Sequence, residues 1–457
     1  MARPVRIVRL SGPAQDPTLA PGMLASAIAQ VRSLLADRLV RNMGWYGLAE
    51  FGTRLSRLVT TVVLARWLSA EDLGFAAIAM TTFEILRIIA QTGVGQAVGR
   101  VPESELAATC ATAHRLSWAL CMATMTVQLA IGAAIAWYYG RPELFWMIAC
   151  CAGVYLTLPF GQIQAHLIVR TNRLHVLAGI SVVQVAADNL LVALFAIAGF
   201  GAWSIILPKL ITAPIWVIGM RRAQSWQRDP AAGYAPWQPI ARFATTVISS
   251  DLVVASRLHL DKILVGAMLG VEGLGIYYFI FNAGIGFSLS VTSSLAATMY
   301  PHLAELAAKP RELLARYDGM LRRAVLPSAG IIALQACLAL IYVPIVFGPR
   351  FASFAPLVAI LCASAVTKPL YDSAAQLLRT AGLPHLELAG STALTCLSLA
   401  ALACGLPLGL WTGVIAMSAA GFIIQTIFAI AVRRGLGMRL ASHPWHAAPY
   451  EPAGVPV

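Results

Sequence analysis

Long, continuous apolar stretches constrain the fold of this chain more than any other feature. Each is close to the roughly 20 residues that an α-helix needs to cross a hydrocarbon core about 30 Å thick. A β-barrel is disfavoured, because its strands would be short and alternately apolar and polar. The sequence therefore predicts an all-α integral membrane protein with twelve transmembrane helices. They lie near residues 44–64, 73–96, 116–138, 144–166, 176–198, 201–220, 244–266, 275–300, 324–346, 354–376, 386–405 and 410–432.

Composition supports the same class of protein. Hydrophobic residues make up 59% of the chain and charged residues only 12%, whereas a soluble domain carries about 25% charged residues. The eight cysteines lie in or beside the apolar stretches, and no CxxC spacing occurs. Neither a metal site nor a disulfide framework is indicated, and no cofactor is expected.

The net charge of +13 could indicate a nucleic-acid partner, but its distribution along the chain argues against one. With the amino terminus inside the cell, the inner loops and tails carry 23 lysines and arginines. The outer loops carry only three, Arg66, Arg141 and Arg350. This asymmetry follows the positive-inside rule. We therefore expect both termini to be cytoplasmic.

Two halves of the chain share a pattern. The polar break at 65–79 returns 201 residues later at 266–280, with Glu71 and Gly74 matched by Glu272 and Gly275. A second pair of similar stretches, 157–171 and 367–380, follows the polar breaks in the same order in both halves. Six helices separate equivalent points, so the halves would be parallel repeats related by an axis along the membrane normal. Chance similarity between apolar helices is the alternative.

These repeats divide the chain into five predicted parts. A six-helix lobe at 44–220 and a second at 244–432 are joined by a cytoplasmic linker at 221–243, with cytoplasmic tails at 1–43 and 433–457. Each polar break would be the outer turn between the first two helices of a lobe. At the first break, Ser69 stands three residues before Asp72, which is the spacing of a capping box.

The stretch LARWLSAEDLGFAAIA at 64–79, the stretch DKILVGAMLGVEGLGIY at 261–277 and the order of the helices resemble the polysaccharide transporters and Wzx-type lipid-linked oligosaccharide flippases of the MOP superfamily. The resemblance covers roughly 41–434. It implies two six-helix bundles, as in the related MATE transporters, around a central cavity in the bacterial inner membrane. It also implies a lipid-linked oligosaccharide as substrate, carried on polyprenyl pyrophosphate, with polysaccharide polymerase or assembly proteins as further partners.

Ionisable residues inside the predicted helices are the candidate site, because a charge at the bilayer centre costs about 2.5–3.5 kcal/mol on the insertion scale. We expect the basic ones to bind the anionic part of the substrate, since arginine can donate two hydrogen bonds to phosphate at once. The acidic ones would balance charge or couple transport to an ion. The basic set is Arg54, Arg57, Arg87, Arg257, Lys262 and Lys368, and the acidic set is Glu50, Glu84, Asp188, Asp251, Asp261 and Asp372.

Several of these charges have a structural alternative. Glu84 with Arg87 and Lys368 with Asp372 are spaced for salt bridges along one helix face, so each pair could either neutralise itself or contact substrate. Asp188 could pair with Lys209 of the next helix or form a proton or sodium site.

Three functions compete. Export of a lipid-linked oligosaccharide or exopolysaccharide unit is favoured by the basic residues. A MATE-like multidrug or organic-cation antiporter would favour acids and aromatic side chains, and the basic excess over the acids inside the helices is a single charge. A membrane enzyme is disfavoured, because every predicted outer loop is too short to hold an acceptor. We therefore expect a transporter rather than an enzyme.

Overall fold

The computed structural model describes residues 56–442, except 58, 92–93, 100, 172 and 305–309. Within these ranges the chain is helical and contains no strand. The predicted tails and most of the first predicted helix lie outside them. The helices are α1 (56–67), α2 (Ala70–Gln91), α3 (Val94–Val98), α4 (Glu103–Tyr139), α5 (Pro142–Ala152), α6 (Pro159–Arg170), α7 (Leu174–Ile197), α8 (Trp203–Ala223), α9 (237–269), α10 (271–304), α11 (Pro310–Met320), α12 (Leu326–Tyr342), α13 (Pro349–Ala352), α14 (Ala355–Ser364), α15 (Lys368–Thr380), α16 (Pro384–Gly405) and α17 (Leu410–Ser442).

The described residues contain eight helices long and apolar enough to cross a membrane, or nine with a bent pair. The chain is therefore a multi-pass membrane protein. The predicted total of twelve is compatible with this count, because the first predicted helix lies largely outside the described part and others are broken. The total itself stays a prediction.

The fourth and tenth predicted helices are each broken, at equivalent places in the repeat. Helices α5 and α6 are separated by a turn of 3₁₀ helix at Gly153–Leu156, and the pair bends by 55°. Helices α14 and α15 are separated by a 3₁₀ turn at Ala365–Thr367. Pro159 and Pro369 stand just after the two breaks. Proline lacks the N–H that a continuous helix would use there.

Helices α9 and α10 form a hairpin around Gly270. The backbone there has φ 71° and ψ −167°, a conformation that residues other than glycine rarely adopt. The Tyr277 hydroxyl donates to Asp261 at 2.6 Å. These residues would be about 24 Å apart along a straight helix, so the chain must reverse between them.

The outer turns at the two polar breaks, one in each half, touch each other. A Cβ placed on Gly74 would lie 2.0 Å from the carbonyl oxygen of Val271, and one on Gly275 would lie 1.8 Å from that of Ala70. The pairs 70 with 271 and 74 with 275 are each separated by 201 residues, the spacing of the sequence repeat. Each half therefore contributes an equivalent glycine and an equivalent carbonyl group to the contact, as expected for parallel repeats related by a two-fold axis.

Hydrogen bonds reinforce this end of the molecule, which the charge distribution predicts to face outward. Arg66 donates to the carbonyl groups of Val346 and Ile345 at 3.0 and 3.1 Å. Arg350 donates back to the carbonyl of Leu68 at 3.1 Å. Each half therefore supplies an arginine to the other, and the two halves are closed against each other here.

The predicted capping box is confirmed. The Ser69 N–H donates to Asp72 at 3.0 Å, and the Asp72 N–H donates to the Ser69 hydroxyl at 2.9 Å. The second Asp72 carboxylate oxygen accepts from the Ala202 N–H at 3.2 Å. Asp72 therefore fixes the start of α2 against the start of α8.

Candidate functional site

A cavity of about 360 Å³ lies between the two halves of the chain. Helices α1, α2, α7 and α8 form most of its wall, and α10 of the second half closes it with Tyr278, Phe279 and Asn282. The closed outer turns lie beyond one end of it, since the lining reaches Ala65 and Leu73. The cavity is therefore walled by both repeats.

Among the described residues, five acidic or basic side chains line the cavity, and the basic ones are in excess. They are Arg57, Glu84, Arg87, Asp188 and Lys209. Four of these belong to the predicted site. Within the described part of the chain, neither Arg57 nor Arg87 forms an ion pair, and both are exposed. The Arg87 guanidinium carbon lies 5.7 Å from the centre of the Phe83 ring. Two guanidinium groups are thus available to an anionic ligand.

Asp188 and Lys209 form the ion pair that was one of the alternatives predicted for them. Lys209 Nζ donates to one carboxylate oxygen of Asp188, and Asp188 is only 7% exposed. Asn189, the next residue, donates to Ser56 at 2.6 Å. The pair fixes α7 to α8, and it adds no net charge to the cavity wall.

Glu84 does not form the predicted salt bridge with Arg87. Its carboxylate lies 3.5 Å from Nε2 of His259 in α9. The side chains of Glu84 and Arg87 are on one face of α2, but His259 of the opposite half competes for the carboxylate. Glu84 therefore links the two halves, while Arg87 is directed to the cavity.

Four of the predicted charges of the second half lie apart from this cavity. Lys262 is 6% exposed, and its ammonium lies 3.4 Å from Asp261 and 4.1 Å from the centre of the Phe281 ring. Lys368 forms its predicted bond with Asp372, at 2.9 Å to both carboxylate oxygens. Both pairs are neutralised inside the second half, and none of the four residues lines the cavity.

The remaining predicted residues are placed less fully. Asp251 lies in α9, is half-buried, and does not line the cavity. Glu50 and Arg54 lie outside the described residues, and so does the side chain of Arg257. The roles expected for Glu50, Arg54 and Arg257 stay predictions.

A family model described as "Polysaccharide biosynthesis protein" matches residues 63–356. This range covers well over half of the chain and includes most of the cavity wall. The chain belongs to this family. The matched range includes both polar breaks, at 65–79 and 266–280.

Among characterised relatives, this member of the family is similar to the succinoglycan biosynthesis transport protein ExoT of Rhizobium meliloti (strain 1021). The two are 23% identical over 248 residues, which are 53% of this chain and 49% of the relative. The aligned part thus spans about half the length of that relative.

Solved structures show the fold of this family member. It resembles the lipid II flippase MurJ in an inward closed conformation, with a TM-score of 0.68 at 12% identity over 88% of this chain and 93% of that one. It also resembles an inward-facing MATE family multidrug transporter of the MOP superfamily, with a TM-score of 0.62 at 13% identity over 86% and 96%. These likenesses confirm the predicted all-α, two-lobed, MATE-like fold class.

Sequence reasoning left out the neutral polar part of the site. Asn189, Asn282 and Tyr278 line the cavity beside the charges. Amides inside apolar helices give a signal of their own, since an unpaired polar group is also unfavourable in lipid. That signal is weaker than that of a charge.

Proposed function

We propose that this protein moves a lipid-linked oligosaccharide, or an exopolysaccharide repeat unit, across the bacterial inner membrane by alternating access. One observation carries the proposal: a cavity walled by both halves of a membrane protein of polysaccharide biosynthesis presents two arginines, Arg57 and Arg87, that form no ion pair with any described residue. A polyprenyl pyrophosphate carrier is the anionic ligand that such a site fits.

The chemistry of the cavity favours phosphate over a neutral or cationic ligand. A guanidinium group donates two parallel hydrogen bonds to phosphate oxygens and stays charged at all physiological pH values. Because Asp188 is neutralised by Lys209 and Glu84 can offset only one of the two arginines, the described lining of the cavity keeps a net positive charge. Their attraction for an anion is stronger in a partly enclosed cavity than in bulk water.

Alternating access requires one end of the cavity to close while the other opens. The contacts of Arg66 and Arg350 with the opposite half support a state closed at the predicted outer end. In this state the substrate would enter from the cytoplasmic side, where both termini are expected. Translocation breaks no covalent bond, so the protein needs no catalytic residue. Polysaccharide polymerase or assembly proteins would take over the delivered unit.

The test is the double variant Arg57→Ala with Arg87→Ala. Each lost charge-assisted contact is worth about 1.5–3 kcal/mol, which corresponds to a tenfold or greater loss in affinity. We expect surface polysaccharide to disappear and the lipid-linked precursor to accumulate in the inner leaflet, with protein abundance unchanged. Lysine at both positions should restore export only partly, because an ammonium group does not donate bidentately.

Arg115→Ala is the matched control, since this exposed arginine stacks 3.7 Å from the centre of the Tyr234 ring outside the cavity. It should export normally. Normal export by an abundant double alanine variant would contradict the proposal. A change in resistance to cationic drugs, with polysaccharide unaffected, would instead assign the protein to multidrug transport.

A further inference from the structure

A second, smaller chamber of about 140 Å³ extends from the cavity into the first half of the chain. It lies between α2, the break that separates α5 from α6, and helices α7 and α8. Five residues line both spaces, so the two are contiguous. They are Phe83, Arg87, Val185, Asp188 and Lys209.

The chamber contains a buried polar atom that no described residue satisfies. Oδ1 of Asp188 is buried and accepts no hydrogen bond, although Oδ2 accepts one from Lys209. The side chains of Gln91, which is exposed, and Gln184, which is half-buried, line the same chamber and carry amide groups that can exchange hydrogen bonds with a ligand. A buried acceptor without a donor is unfavourable by about 1–3 kcal/mol. Oδ1 of Asp188 therefore points to a ligand that donates a hydrogen bond.

One wall of the chamber is aromatic. Trp216 is half-buried and lines the chamber, with its ring packed on Gly161 of α6. A Cβ at Gly161 would lie 2.9 Å from a ring carbon. The glycine thus permits the close approach that holds the indole in place. Its flat surface offers apolar contact beside the polar groups, as in many pockets for small ligands.

We propose that this chamber binds a neutral sugar ring of the transported glycan, the ring nearest the pyrophosphate. This inference rests on the proposed function and names the chemistry of its second ligand group. A sugar ring carries hydroxyl donors at its edge and apolar C–H groups on its faces, which match Asp188 Oδ1 and Trp216 respectively. Arg87 lines both spaces. A phosphate bound to Arg87 in the cavity would therefore be close enough for the sugar attached to it to occupy the chamber.

Charge and size distinguish this ligand from others. A metal ion or organic cation at Asp188 Oδ1 would be repelled by the Lys209 ammonium bonded to the same carboxylate. A neutral hydroxyl group is not repelled. The volume exceeds that of a single water, about 30 Å³ in the liquid, and is below the roughly 300 Å³ of pockets for larger ligands. It fits one ring rather than a chain.

The experiment measures the binding of two probes to the full-length protein in lipid nanodiscs. Methyl glycosides of neutral hexoses are titrated by saturation-transfer NMR, and farnesyl pyrophosphate by calorimetry. Trp216→Leu should weaken hexoside binding about tenfold, and Gln184→Ala should weaken it measurably. Both should leave farnesyl pyrophosphate binding unchanged. Trp118→Leu is the matched control, because Trp118 packs on Phe160 in the same half, 5.1 Å between ring centres, and lines neither space.

The outcomes separate the two proposals. If farnesyl pyrophosphate binds but no hexoside does, or if Trp216→Leu and Gln184→Ala leave hexoside binding intact, the sugar chamber is wrong and the proposed function stands. If farnesyl pyrophosphate binds equally to the wild type and to the double variant Arg57→Ala with Arg87→Ala, the proposed function is wrong. Binding of radioactive sodium that Asp188→Asn abolishes, without hexoside binding, would make the chamber a cation site and overturn the inference.

Discussion

At the scale of single residues, the partner of each charge decides its role. Lys262 and Lys368 are held by neighbouring carboxylates inside the second half. Arg57 and Arg87 have no such neighbour among the described residues and are left to a ligand. Asp188 is intermediate, because one of its oxygens binds Lys209 and the other stays unpaired. The same residue therefore contributes to stability and to the proposed sugar site.

The stability role of this pair can be measured. Lys209→Met would leave the Asp188 carboxylate nearly buried without a counter-charge, so the free energy of unfolding should fall by roughly 2–3 kcal/mol. This is less than the 3–5 kcal/mol typical of a fully buried pair, since the Lys209 side chain is 26% exposed. The double variant Asp188→Leu with Lys209→Met should lose less, because two apolar side chains leave no buried charge. Denaturant unfolding in detergent micelles compares them. Equal losses in both variants would contradict this account.

At the scale of helices, the contact between the polar turns of the two halves closes one end of the molecule. Gly74 and Gly275 allow α2 and α10 to approach until backbone touches backbone. Arg66 and Arg350 add hydrogen bonds from each half to the other. These contacts must separate before a substrate can leave through the predicted outer end, so we expect them to set the balance between inward and outward states.

Gly275→Ala tests this balance. The added methyl would clash with the Ala70 carbonyl only while the turns are in contact, so the variant should favour the state in which they are apart. In a chain without native cysteines, a cysteine at Thr61, which lines the cavity, should react faster with a membrane-impermeant maleimide added from outside. Gly179→Ala is the matched control, because a Cβ there meets nothing within 4 Å. Unchanged labelling in Gly275→Ala would show that the contact does not hold the outer end closed.

At the scale of the whole molecule, the distribution of basic residues predicts the orientation in the membrane. The linker holds Arg228 and the region before α12 holds Arg316, on the side where basic residues accumulate. Arg141 and Arg350 belong to the opposite end. Long apolar helices alone do not determine this direction, whereas basic loops do.

Reporter fusions check the orientation. Alkaline phosphatase fused after Arg228 or Arg316 should be inactive, and a cytoplasmic fluorescent reporter at the same points should fluoresce. Fusions after Arg141 or Arg350 should give the opposite result. Phosphatase activity at Arg228 would reverse the predicted topology, and with it the direction of access in the closed state.

The sequence by itself determined the class of protein, the positions of most helices and the repeat. Each of these depends on properties local to the chain: apolar length, the polar breaks and the spacing of 201 residues. The capping box of Ser69 and Asp72 was predictable for the same reason, because both residues lie within one turn of helix.

Only the tertiary structure decided which charges share the cavity. Helical periodicity shows which side chains lie on one face of their own helix, but the direction of that face depends on how each helix is rotated against its neighbours. Glu84 and Arg87 share a face of α2, yet His259 of the other half takes the carboxylate. Lys262 was expected to bind the anionic part of the substrate, yet it is buried against Asp261 and Phe281. Packing between helices fixes these rotations, and no local pattern in the chain contains that information.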